Sequence, residues 1–136
     1  MRSQPRAVLL SVLTAAALVA TTLTGARGAS ASTTESAFVS KINAARAAHG
    51  LRALTVRSDL TSYARSHSAA MAKAGALFHT SDFSVVCCFR SAAENVGFGA
   101  DVSTIHSMFM DSAGHRANIL DPAMREVGVG TVTVGG

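Results

Sequence analysis

The 136-residue chain carries 12 Lys and Arg against 8 Asp and Glu, a formal net charge of +4. Three of the basic residues, Arg2, Arg6 and Arg27, precede residue 32 while all eight acids follow it, so residues 32–136 keep a net charge of only +1. That balance excludes the electrostatic footprint of a nucleic-acid-binding protein, and beyond residue 31 no apolar stretch approaches the roughly 20 residues that a bilayer span needs.

Arg2 and Arg6 lead into a mostly apolar run from Ala7 to Leu23, and small residues then reach Ala29-Ser30-Ala31. Positive start, apolar run and A-x-A site, in that order, form the pattern of a secretory signal. The expectation is a signal peptide over 1–31 and one small domain over 32–136. An uncleaved membrane anchor is the alternative. No cysteine directly follows the cleavage site, which argues against a lipid-anchored form.

From Thr34 the recurrence of Phe38, Ile42, Ala45 and His49 predicts a helix, with Gly50 as its left-handed cap. Leu51 and Leu54 read as apolar plugs in the connection. Ser58 or Asp59 can cap a second helix striped with Leu60, Ala64, His67 and Met71 and ended by Gly75. Residues 76–100 show no regular period, with Phe78, Phe83 and Phe89 as expected core contacts. Asp101 or Ser103 opens a third helix through Ile105, Met108 and Phe109, broken at Gly114, and a short helical turn covers His115 to Leu120. Val127, Val129, Thr131 and Val134 mark a β-rich tail. The class read from this order is α+β, helices packed on a small sheet.

Cys87 and Cys88 are adjacent. Neighbouring cysteines bridge each other only with strained geometry, so they are no disulfide framework. Two reduced thiols, a link to another chain, a vicinal disulfide and metal ligation all stay open.

Several segments together resemble a bacterial CAP-superfamily (SCP-like) domain. They are Asn43-x-x-Arg46 with Gly50 and Leu54; the Leu60, Ala64, Met71 stripe; Phe78-His79-Thr80; Glu94-Asn95-Val96; and Gly114 to Leu120 followed by Pro122 and Val127-Gly128-Val129-Gly130. The resemblance runs over roughly residues 36–134. It implies an α-β-α sandwich with a small antiparallel sheet, an extracellular location, and a cleft lined by His79, Glu94 and His115, supported by Asn95, Arg116 and Ser112. The sequence departs from the larger members at Ser112, where they carry a second carboxylate. Members also continue past Val-Gly-Val-Gly into a further strand, so the domain is expected to be incomplete at its C-terminus, with the strand near Glu126 left an unpaired edge.

Two imidazoles and a carboxylate suit Zn²⁺ or another divalent metal with a fourth position open to water. Alternatively, Glu94 accepts a hydrogen bond from one ring and fixes its tautomer, the three forming a polar network that holds the loop to the helices. Hydrolysis would need a further base, and with Glu94 as a ligand no second carboxylate is in view. Ser112 near His115, or Cys87 or Cys88 with His79, are thin nucleophile–base pairs. His67 reads as a packed core histidine, His49 as a cap of helix carbonyls and His106 as solvent-facing. Arg46 and Arg116 read as ties between loops and helix ends, and Met108 and Met110 as helix packing. Gly97/Gly99 and Gly128/Gly130 lack any phosphate-loop context. The reading is a secreted, non-catalytic binding module for a lipid, cell-envelope component or protein partner. The alternatives are a metal-dependent, peptidase-like hydrolase and a truncated product without independent function.

Overall fold

A computed structural model describes residues 7–15, 27–84 and 89–134. Its elements run β1 (Ala7–Ala15), α1 (Arg27–Ala48), β2 (Thr55–Val56), α2 (Ser58–Ala74), β3 (Ala92–Gly99), α3 (Val102–Asp111), α4 (Ala113–Leu120) and β4 (Glu126–Val134). Cys87 and Cys88 lie outside the described residues.

The sheet has four strands in the order β2-β4-β1-β3. The fold is the expected α+β sandwich, but its strands do not pair as expected. β1 pairs parallel to both β3 and β4, and β2 pairs parallel to β4. Helices α2 and α3–α4 are the returns between these strands, and such crossovers bring the chain back in the same direction. The strand near Glu126 is therefore not an open edge. β1, from the apolar run near the N-terminus, lies along it from Ala7 opposite Glu126 to Ala15 opposite Val134.

Alternation along β4 separates the layers. Val127 and Val129 are buried in one core with Phe38 and Ile42 of α1, Ile105 and Phe109 of α3, and Ile119 of α4. Gly128 and Gly130 face the other way, onto α2. A Cβ on Gly130 would sit 2.1 Å from the Ala64 carbonyl carbon, and one on Gly128 would sit 2.2 Å from that of Leu60. With glycine at both positions, the helix rests directly on the strand backbone. The Ser68 hydroxyl then donates to the Gly130 carbonyl at 2.9 Å.

The helix ends follow their local chemistry. Gly75 takes φ 64° and closes α2, with its N–H on the Ala72 carbonyl and that of Ala76 on Met71. Gly50, at φ 70°, ends α1 in the same left-handed conformation. Asp101 caps α3 by accepting from the Thr104 N–H at 2.8 Å. The start of α2 differs from expectation. Its cap position is Arg57, whose guanidinium has no acceptor to offer the helix N–H groups, and Asp59 in the first turn is paired with that guanidinium. The α3–α4 break falls at Ser112, in extended conformation, and Gly114 lies inside α4.

The buried face of α1 is Glu35, Phe38, Ile42 and Arg46, so Arg46, not Ala45, continues the stripe. The Arg46 guanidinium is fully buried and donates to the carbonyls of Arg52, Ile119, Asp121 and Met124. This bears out the reading of Arg46 as a tie, and Arg116 donates likewise to the Met110 carbonyl at 2.7 Å. Glu35 is buried against Arg65 of α2. Phe83 and Phe89 pack on the Leu60–Ala64 cluster as expected, whereas Phe78 and Met108 are largely exposed.

Candidate functional site

The candidate site grows from β3, the outermost strand. Its alternation sends Glu94 and Val96 toward the α2 layer, where Val96 packs on Met71. Asn95 and Gly97 face the α3–α4 layer, where a Cβ on Gly97 would meet the Phe109 ring. The dipeptide Glu94-Asn95 thus works on both faces of the sheet.

On the α2 side the Glu94 carboxylate is buried. Its Oε2 accepts from the Thr80 backbone N–H at 2.8 Å and lies 3.0 Å from His79 Nδ1. Its Oε1 lies 3.5 Å from His67 Nε2 and has no hydrogen-bond partner among the described residues. His67 Nε2 is itself 2.9 Å from the Phe78 carbonyl. The His67 ring is stacked on Tyr63 at 6.2 Å between centroids and met edge-on by Phe78 at 5.1 Å. The Tyr63 hydroxyl reaches the Thr80 hydroxyl. One buried carboxylate and one helix face therefore pin the segment 78–80.

On the opposite side the Asn95 amide donates to the His115 carbonyl at 3.0 Å, and the Asn118 amide donates to Asn95 Oδ1 at 2.8 Å. The His115 ring packs on Phe109 at 4.9 Å between centroids. Burial, and secondarily the charge of His79, hold its pKa below the ordinary histidine value. His79 is 58% exposed, so its ring borders solvent.

His79 and Glu94 are in contact, then, while His115 is tied to β3 through its backbone carbonyl, which accepts from Asn95. The donor set fits a metal poorly in this arrangement. Among the described residues no group of three or more His, Cys, Asp and Glu could hold a metal ion. Asn95 and Arg116 hold backbone carbonyls, and Ser112 forms the joint between α3 and α4.

His67, Tyr63, Thr80 and Asn118 belong to the network and were not singled out as site residues by the sequence. His67 was legible only as a member of an apolar stripe, which gives packing but not the carboxylate beside it. His49 is as expected, with Nδ1 2.8 Å from the Ala45 carbonyl. His106 is not solvent-facing: it is half-buried, its Nε2 has no hydrogen-bond partner among the described residues, and burial, ahead of the charge of Lys41, lowers its pKa.

A second feature lies on the α2 face near residue 78. Ala72, Gly75, Ala76, Leu77, Phe98 and Val134 line an open groove of about 420 Å³ whose side chains are all apolar. Leu77 and Phe98 are roughly half exposed there.

Helices on both faces of a small sheet, with a Glu-Asn pair riveting the two layers at its outer strand, define a small α-β-α domain with a polar loop anchor. The chain belongs to the CAP superfamily: the model of the cysteine-rich secretory protein family matches residues 39–136. No curated protein and no solved structure matches it. No helix among the described residues is long and apolar enough to cross a membrane.

Proposed function

We propose that the chain is exported with loss of residues 1–31 and acts as a non-catalytic binding module for an apolar ligand, a lipid or cell-envelope component before a protein partner. The groove of Leu77, Phe98 and Val134 carries this reading, because exposed apolar side chains lining a concavity favour an apolar guest. The Glu94 network supports it as well. A carboxylate held by a backbone N–H and flanked by two imidazoles organises a loop and is poorly placed to serve as a general base. The test is titration of the chain with a fluorescent fatty acid. Saturable binding that Phe98→Asp weakens at least tenfold is the expected result. Binding unaffected by that substitution, or none, overturns the reading.

A divalent cation is a second reading, favoured by the unpartnered Oε1 of Glu94 and the His79 imidazole in contact with the same carboxylate. Calorimetric zinc titration of the wild type and of the His79→Ala/His115→Ala double variant tests it. Equal stoichiometry in the two proteins, or no zinc uptake by either, rules it out. A hydrolytic role would require this cation together with a base that is not in view among the described residues.

A further inference from the structure

At the opposite edge of the sheet from Glu94, β2 pairs with β4 only at Glu126 and Val127. The Arg57 N–H donates to the Val127 carbonyl at 3.0 Å on this edge. Backbone groups of alternate residues share an edge, so Thr131 turns its N–H the same way, and that N–H donates to Glu35 Oε1 at 3.4 Å. A carboxylate from α1 thus stands where a neighbouring strand's carbonyl would. Beside it, between α1 and α2, lies a cavity of about 370 Å³, within the size range of small-molecule sites.

Glu35 and Arg65 are the charged residues of its described lining, and they face each other. Arg65 Nε donates to Glu35 Oε1 at 2.7 Å and Nη2 donates to Oε2. That pairing uses one side of the guanidinium and leaves Nη1 to donate elsewhere. The Glu35 side chain is only 7% exposed, whereas that of Arg65 is 48% exposed. Thr61 lines the same cavity, and its buried hydroxyl has no hydrogen-bond partner among the described residues. Val39 and Val56 add apolar surface. An ionic ligand would bring an unbalanced charge against a pair that is already neutral, which is costly in a partly buried place. Adjacent hydroxyls suit the pair better, because a hydroxyl both donates and accepts: one accepts from Arg65 Nη1 while donating to the carboxylate, and its neighbour bonds the Thr61 hydroxyl. We propose that this cavity is a second binding site, for a neutral polyol of the size of a sugar ring, with its C–H face on Val39 and Val56. The site is separate from the groove of Leu77 and Phe98 and rests on neither the export reading nor the apolar-ligand reading.

The test is an amide chemical-shift titration of the full chain with glucose, galactose and mannose, and with glucuronate and protonated glucosamine as charged analogues of the same ring. The expected result is saturable shifts with at least one neutral sugar, centred on the amides of residues 35–40, 56, 61–65 and 129–131. The charged analogues should bind about five- to tenfold more weakly, as should Thr61→Val and Arg65→Lys, each of which removes about one hydrogen bond's worth of affinity. Ser40→Leu, at an exposed position lining the cavity, should abolish the shifts by filling the space. It leaves the Glu35–Arg65 pair intact, so it decides the matter if either of the other variants fails to fold. No saturable shift with any neutral sugar overturns the proposal. So do shifts centred elsewhere, equal binding of glucuronate, or binding that Ser40→Leu leaves unchanged.

Discussion

Replacing Gly130 with alanine should be among the most damaging small substitutions in the chain. The added carbon would lie 2.1 Å from both the Ala64 carbonyl carbon and the Arg65 nitrogen. These are backbone atoms in the middle of a helix, so no rotamer change relieves the clash. α2 would have to retreat by about 1.3 Å to restore ordinary van der Waals contact of 3.4 Å or more. That movement would break the 2.9 Å bond from Ser68 to the Gly130 carbonyl and unpack Leu60 and Met71, both now buried. Overpacking a rigid core costs about 1–3 kcal/mol and sometimes more, so the expected loss is about 3 kcal/mol or above, a large share of the roughly 5–15 kcal/mol that stabilises a domain. Urea unfolding of the full chain followed by circular dichroism measures it. Gly97→Ala should cost less, because its nearest neighbour is the Phe109 ring at 2.8 Å and a ring can shift. Gly114→Ala, with nothing within 4 Å and a helical backbone, should stabilise by about 0.5–1 kcal/mol. An equal effect at Gly130 and Gly114, or a stable Gly130→Ala, would refute the claim that the helix rests on bare strand backbone.

Arg46→Met should lose about 3 kcal/mol or more, because several buried carbonyls would be left without a donor, and Arg46→Lys should recover less than half of that in the same unfolding assay. Glu94→Ala should cost about 2–3 kcal/mol and speed amide exchange at Thr80, with Glu94→Gln intermediate; an unchanged Thr80 amide would remove the loop-anchoring role. The pH dependence follows from His106, whose folded-state pKa is lowered. As pH falls below about 6.5 the unfolded chain takes up the proton first, so stability is full above that pH and declines below it. His106→Gln should flatten the decline between pH 7 and 5; an unaltered slope would show that the ring is not desolvated.

The helices were legible because their signals are local: three- and four-residue apolar spacing, Gly50 and Gly75 where left-handed caps are needed, Asp101 at an N-cap. β3 was not, because Ala92 to Gly99 neither alternates in polarity nor carries β-branched residues other than Val96. Glu94, Asn95 and Val96 are all buried, so both faces of the strand are covered and the period-two signal vanishes. The direction of pairing was illegible for a different reason. It depends on which segment lies between β3 and β4, a long-range choice that no window of sequence contains. His106 and Glu35 look solvent-facing by residue type, but His106 is half-buried and Glu35 is buried against Arg65 of another helix, contacts that no local window contains.

The geometry of β3 also bears on how the three cleft candidates, His79, Glu94 and His115, can act on one ligand. Successive residues of a strand point to opposite faces, so Glu94 is committed to the α2 layer and Asn95 to α4. His115 is held by Asn95 through its backbone carbonyl. His79 touches Glu94, and burial, then the charge of His79, lowers the pKa of His115. A ligand at the two imidazoles could draw on Glu94 directly, through its Oε1, or only through His79. This makes Glu94→Gln a discriminating substitution. If a cation binds with Glu94 as a direct ligand, the substitution should abolish uptake. If Glu94 only orients His79, uptake should persist with weakened affinity, while His79→Ala removes it. Zinc titrations of the two variants side by side decide between these, and loss of binding in Glu94→Gln alone would make Glu94 the direct ligand.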